Sequence, residues 1–230
     1  FYKIIMNIAV ILARSGSKSI KNKNIKILKN KPIIYWTIKN IIKSKKFDKI
    51  IVSTDKRSIA KMVNKMGAET PFLRPKNISG DSIGTKEVVD HAISYLEKKY
   101  SNIKNVGCFY ATSIFAKPVL IKKCFGLLKN NKKFVFMAQK RDPQSLRAFK
   151  VNKKGIVKKI SSNINYRTQD LEDRYFQDLG QLYLANYKTW KKEKVILSNN
   201  SKVLALKKWE ASDIDDIDDW KLSDLLFNKN

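Results

Sequence analysis

The chain has 230 residues, a 43% hydrophobic share and a formal net charge of +28. That length and apolar share suit one sizeable α/β domain with a real core. The charge first suggests a polyanion partner and a basic nucleic-acid-binding module. However, only seven of the 48 basic residues are arginine, and the lysines are scattered along the chain beside Asn and Ile, which argues against one basic face and against a nucleic-acid partner. No apolar stretch approaches the ~20 residues that span a bilayer, and the opening FYKIIMN lacks a signal-peptide core, with Met6 a candidate start. Cys108 and Cys124 are too few for a disulfide framework or a zinc site, so a reducing cytoplasm is expected.

The first predicted element is a buried strand from Ile8 to Ala13. It runs without a charge into Arg14, Ser15, Gly16, Ser17 and Lys18. A continuous apolar run suits a central parallel strand covered on both faces, and ligands of open α/β sheets gather at the carboxyl ends of such strands. Gly16 lets the backbone approach a ligand, and Arg14, Lys18 and Lys23 supply cations for phosphate oxygens. On the residues alone, this is either a phosphate-binding loop or a polar turn in a lysine-rich chain. It is neither a Walker loop nor GxGxxG.

Pro32 then opens an amphipathic helix with apolar positions at Ile34, Ile38, Ile41 and Ile42. A buried strand is expected at Asp48 to Thr54, followed by Asp55 at a capping or ligand-contact position. A crossover helix follows from Arg57 to Met66, stopped by Gly67, and Ala68 to Leu73 reads as a short third strand. The segment from Arg74 to Thr85 is a loop, and Lys86 to Tyr100 a helix carrying the lone His91, read as structural. A strand at Asn105 to Ala111, a helix from Pro118 to about Lys129 and a strand at Lys133 to Ala138 complete an alternation that predicts a doubly wound, mostly parallel sheet.

The rhythm breaks at Gln139. AFKVNKKGIVKKI reads as two short strands joined at an Asn and Gly turn, so residues 139–178 form an excursion within a single domain spanning 1–230. The sheet resumes with GQLYLA, Gly180 to Ala185, and KVLAL, Lys202 to Leu206. Five aspartates then fall within seven residues, Asp213 to Asp219, ahead of a helix from about Trp220. Asp213 and Asp215 would project to one side of an extended segment and suit magnesium, while Asp216, Asp218 and Asp219 would cap the helix. A cationic loop at one end and an acidic pair at the other suggest a metal-nucleotide site.

The stretch ARSGSKSIKNKN, Ala13 to Asn24, resembles the ARGGSKxIxxKN signature of the sugar-acid cytidylyltransferases, which make CMP-activated nonulosonic acids. STD at Ser53 to Asp55, GAETPFLRP at Gly67 to Pro75 and DIDxxxDW at Asp213 to Trp220 follow in the family's order. Asn165 to Ala185, NYRTQDLEDRYFQDLGQLYLA, resembles the pseudaminic acid branch at Asp178, Gly180, Gln181 and Tyr183. The resemblance implies a Rossmann-like nucleotidyltransferase fold with a dimerising excursion. It also implies transfer of CMP from CTP to a nonulosonic acid, with magnesium required and pyrophosphate released. Pseudaminic acid is the expected acceptor, with sialic and legionaminic acids as alternatives.

By the same resemblance, Arg14, Ser17, Lys23 and Asn24 hold the CTP phosphates and Arg74 contacts the nucleotide. Asp213 and Asp215 hold magnesium, and Arg167, Gln169 and Asp170 lie near the sugar. Arg14, Lys23 and Asp215 are the residues expected to carry catalysis. The chain departs from the family's pattern at Ser15, where glycine is usual, at Lys21, and at Ala111 and Ile114, which replace prolines. If Ser15 had to adopt a positive φ, the cost would be on the order of 1 kcal/mol or more.

Overall fold

The protein is described here from a computed structural model, which describes residues 5–129, 133–141, 149–159 and 175–229. Strand β1 (Met6–Leu12) leads into a 3-10 turn at Lys23–Ile25 and a two-residue antiparallel pair, β2 (Ile27–Leu28) and β3 (Lys31–Pro32). Helix α1 (Ile33–Ser44), strand β4 (Lys49–Ser53), helices α2 (Arg57–Asn64) and α3 (Thr85–Leu96), strand β5 (Ile103–Tyr110) and helix α4 (Pro118–Leu128) follow. The remaining elements are β6 (Val135–Arg141), a hairpin of β7 (Phe149–Val151) and β8 (Val157–Lys159), then β9 (Tyr175–Asn186), α5 (Tyr187–Lys192), β10 (Lys202–Leu206) and α6 (Ile217–Lys229).

Six strands form one sheet in the order β10-β6-β9-β5-β1-β4. The pairs β1–β4, β1–β5 and β6–β10 are parallel, whereas β9 runs antiparallel to both of its neighbours. The sheet is therefore mostly parallel, as expected, and β1 is an interior strand, between β5 and the edge strand β4, with a sequence apolar on both faces. Ile8, Val10 and Leu12 pack under α3 with Val88, Val89 and Ile93, while Ala9 and Ile11 pack on the other face with Ile34, Ile38 and Ile121 of α1 and α4. Covering both faces is what permits an uninterrupted apolar strand.

Three local expectations change. In α1 the buried face is Ile33, Ile34, Thr37, Ile38 and Ile41, and Ile42 lies outside it, 48% exposed. The helix turns this way because Thr37 and Asn40 donate hydrogen bonds to the carbonyls of Ala111 and Ile114. The expected third strand at 68–73 is reduced to a single bridge between Ile51 and Glu69. Its next residues turn away so that the Arg74 N–H can reach the Thr54 carbonyl.

The third change is at the excursion, whose base is narrower than 139–178. Arg141 pairs with Tyr175 across β6 and β9, so the sheet itself extends into both flanks. The hairpin between them matches the expected pair of strands. Asn152 Oδ1 accepts from the N–H groups of Lys154 and Ile156, and Gly155 takes φ 78°. Among the described residues, no helix is long and apolar enough to cross a membrane.

Candidate functional site

At the carboxyl ends of β1, β4 and β5 lies a cleft of about 570 Å3. It is lined from the first loop by Arg14, Ser17, Lys18, Lys23 and Asn24, from the 74–85 loop by Arg74 and Asp81, and from the far end of the chain by Asp213 and Asp215. Segments nearly 200 residues apart thus share one cavity because β1 lies beside β5 in mid-sheet and the segment after β10 folds back over the strand ends. Arg167, Gln169 and Asp170 lie outside the described residues.

The first loop is held by its own side chains. Asn22 takes a left-handed φ of 55° and opens the 3-10 turn. Asn24 then donates to the Arg14 carbonyl at 2.8 Å, and Lys23 donates to the Ile214 carbonyl at 2.6 Å with Asp215 Oδ1 at 3.4 Å. Lys23 is thereby the tie between the cationic loop and the aspartate segment. Ser15 does not have the positive φ that its replacement of glycine raised as a concern. Its N–H and hydroxyl both donate to Asp55, at 2.7 and 2.8 Å, so the serine adds a second hydrogen bond between the loop and the end of β4. Of the other departures, Ala111 and Ile114 are buried core residues and Lys21 is exposed.

Arg74 is only 6% exposed. Its Nε donates to Ser53 Oγ at 3.0 Å and its Nη2 to the Ser53 carbonyl at 2.6 Å. Burial, partly offset by the charge of Asp55, lowers its pKa to about 10. A guanidinium satisfied by neutral oxygens at the edge of a cleft keeps its charge available for an anion.

Opposite, burial and then the charge of Asp215 raise the pKa of Asp213 to about 6, against the hydrogen bond its Oδ1 accepts from the Ile214 N–H at 2.8 Å. Of the later aspartates, Asp216 and Asp219 cap α6 as expected, whereas the Asp218 carboxylate pairs with Lys221 instead. Asp216 Oδ1 accepts from the N–H groups of Asp218 and Asp219, and Asp219 Oδ2 accepts from those of Asp215 and Asp216. This reciprocal arrangement is that of a capping box, and it fixes the backbone at Asp215.

A second wall of the cleft is formed by Tyr110, Asp178, Gly180 and Tyr183. A register irregularity between Phe136 and Ala138 leaves the residues between Asp178 and Tyr183 bulged out of the β6–β9 ladder, a device that re-aims side chains near sites. Tyr183 donates to Asp178 Oδ2, and the Tyr110 and Thr85 hydroxyls are bonded to each other. Burial pushes the Tyr110 hydroxyl up to about 12 and raises that of Tyr183 further, so both are neutral hydroxyls at ordinary pH.

Thr85, Tyr110 and Asp81 were not singled out by sequence reasoning. Asp81 carried the one usable signal, an acid inside a glycine-containing loop of an otherwise basic chain. His91 stacks edge-on against Phe72 at 5.0 Å, in keeping with its structural reading.

Residues 8–214 match the family model described as cytidylyltransferase. The chain is 33% identical over 226 residues to the pseudaminic acid cytidylyltransferase of Campylobacter jejuni, covering 97% of each. It is 31% identical over 241 residues to the CMP-N,N'-diacetyllegionaminic acid synthase of Legionella pneumophila, again covering 97% of each. Among solved structures, the CMP:2-keto-3-deoxy-manno-octonic acid synthetase complexed with CTP superposes with a TM-score of 0.72 at 13% identity, over 97% of this chain and 99% of that one. A 4-diphosphocytidyl-2C-methyl-D-erythritol synthase does so at 0.66 and 12%, over 97% and 98%.

Proposed function

The chain belongs to the cytidylyltransferase family, and we propose that it transfers CMP from CTP to the anomeric hydroxyl of pseudaminic acid. The new bond joins that oxygen to the α-phosphorus, the hydroxyl proton is lost to solvent, the α–β phosphoanhydride breaks, and pyrophosphate leaves with the electron pair of that bond. The observation that carries the reading is the cleft itself, in which Arg14, Lys23 and Arg74 share one cavity with Asp213 and Asp215.

In this reading Arg14, Ser17, Lys18 and Lys23 bind the triphosphate, and buried Arg74 offers a fixed positive charge to the nucleotide. Lys23 also holds the aspartate segment through the Ile214 carbonyl, so the cation that meets phosphate also sets the position of the acids. The pair Asp213 and Asp215 fits magnesium. Each is a hard oxygen donor, and the raised pKa of Asp213 reflects burial and a neighbouring negative charge that a cation would relieve. When bound, magnesium would neutralise charge developing on the phosphate oxygens. Asp178 and Tyr183 face the half of the cleft left for the sugar, and similarity to a pseudaminic acid enzyme over nearly the full chain supports that acceptor.

The test is pyrophosphate release from CTP and magnesium with pseudaminic, legionaminic and N-acetylneuraminic acids in parallel. Release is expected to be fastest, by kcat/KM, with pseudaminate. No release with any of the three would sink the reading, and a higher kcat/KM for another acid would replace the sugar.

We propose further that the chain is a homodimer through its hairpin. Phe149, Val151, Ile156 and Val157 are each more than half exposed on β7, β8 and their turn, and an apolar cluster of this kind marks an interaction surface. Sedimentation equilibrium is expected to give twice the 26.6 kDa chain mass. A monomer at micromolar concentration would rule the hairpin out as a stable interface.

A further inference from the structure

The phosphate loop as folded already holds an anion, and that anion is a side chain. Asp81 Oδ1 is ion-paired with Arg14 Nη1, and Asp81 Oδ2 lies 2.7 Å from Lys18 Nζ. One carboxylate therefore bridges two cations of the first loop, one on each oxygen, as two oxygens of a phosphate would. These contacts and the charges behind them hold the Asp81 carboxyl below its ordinary range, so it is ionised wherever the protein is folded and near neutral pH.

The chain around Asp81 is built to release it. Its flanks Gly80 and Gly84 carry no side chain, and a Cβ at either would meet nothing closer than 3.9 Å. Beyond Gly84 the backbone is fixed, since α3 begins at Thr85 and Glu87 in its first turn accepts from the Gly84 N–H. Before Gly80 it is fixed too, since Ser79 donates to the Pro75 carbonyl. The movable part is thus a short tip carrying one acid, anchored at both ends. Asp81 is 38% exposed and Lys18 87% exposed, so each ion pair is weak enough to be exchanged for a more highly charged ligand.

We propose that Asp81 is a built-in competitor for the triphosphate: it occupies Arg14 and Lys18 in the free protein, and the phosphates displace it on binding. The proposal rests on the nucleotide reading of the cleft for its physiological ligand. The contact it describes is open to any polyphosphate. Asp81 weakens CTP binding by the cost of exchanging its own ion pairs.

The experiment is calorimetric titration of the full chain with inorganic tripolyphosphate and, separately, with CTP. It compares the wild type with Asp81→Asn and with Asp90→Asn, which removes the same charge from an acid paired to Lys86 outside the cleft. Asp81→Asn is expected to bind tripolyphosphate about three- to tenfold more tightly, the worth of one or two exposed ion pairs, while Asp90→Asn changes little. Unchanged or weaker binding by Asp81→Asn would overturn the proposal, since an acid that orients Arg14 for the ligand predicts a loss.

A second readout needs no variant. Hydrogen exchange of the amides at 80–84 in the wild type is expected to speed up on adding tripolyphosphate, and slowing would count against displacement. If tripolyphosphate behaves as expected while CTP fails to bind, the Asp81 contact stands and the cytidylyltransferase reading falls.

Discussion

Asp213→Asn is expected to lower kcat/KM with CTP and magnesium by about 10²- to 10³-fold, the usual cost of removing one preorganised charge-stabilising group, while making the ligand-free protein more stable. The two effects have one cause. Asp213 ionises at about 6 in the folded chain, against an ordinary value of 3.8, because it is buried and faces Asp215. The folded state therefore binds the proton more tightly than the unfolded state does. Below pH 3.8 both states carry it and Asp213 costs nothing. As pH rises from there through 6, stability falls, and above that it stays lower by on the order of 2–3 kcal/mol.

Asparagine keeps an oxygen for the Ile214 N–H and cannot ionise. The variant should thus match the wild type in denaturation midpoint near pH 4 and exceed it at pH 8. Magnesium should narrow that gap by stabilising only the wild type. Asp215→Asn separates the two effects, because the Asp215 side chain is 79% exposed: activity should fall comparably with no such direct relief of burial. An Asp213→Asn protein with near wild-type activity would remove these residues from the metal role.

Gly180→Ala is the second large effect, and it is conformational. Gly180 has φ 58°, and a Cβ there would lie 2.9 Å from the Tyr110 ring and 3.7 Å from Asp213 Oδ1. The left-handed backbone costs an L-residue about 1–2 kcal/mol, and overpacking adds about 1–3 kcal/mol. For a chain of this size the sum corresponds to a fall in Tm of roughly 4–20 °C. The ring cannot yield freely, since the Tyr110 hydroxyl is bonded to Thr85 and the Tyr110 N–H donates to Ser113 Oγ, which itself donates to the Gly180 carbonyl.

Shifting Tyr110 deforms the wall that carries Asp178 and Tyr183, so KM for the sugar acid should rise more than KM for CTP. Gly126→Ala is the internal comparison. It lies in α4 with nothing within 4 Å of its new Cβ, and should gain up to about 1 kcal/mol from helix propensity. A Gly180→Ala protein that melts with the wild type would show that the bulge does not need a left-handed residue.

What could be read from the residues alone was whatever short-range physics controls. An uncharged run as short as Ile8 to Ala13, ending at a polar glycine-containing loop, suits a strand covered on both faces. Asp216 and Asp219 can satisfy the first amides of α6 from positions adjacent in sequence. Asn152 and Gly155 mark their own turn. The two halves of the site, Arg14 to Asn24 and Asp213 to Asp215, were visible because each carries its chemistry within a few residues.

What the residues could not state is which distant groups meet. The antiparallel course of β9, its place between β5 and β6, and the loss of a strand at 68–73 follow from connections and from competing hydrogen bonds such as that of the Arg74 N–H on Thr54. Ser15 looked like a point of strain until Asp55, 40 positions on, proved to accept from both its N–H and its hydroxyl. Asp81 looked like one polar residue in a loop until the fold set it on Arg14 and Lys18. Periodicity and capping act between neighbours in the chain, whereas electrostatic pairing acts between neighbours in space, and only the packed sheet decides who those are.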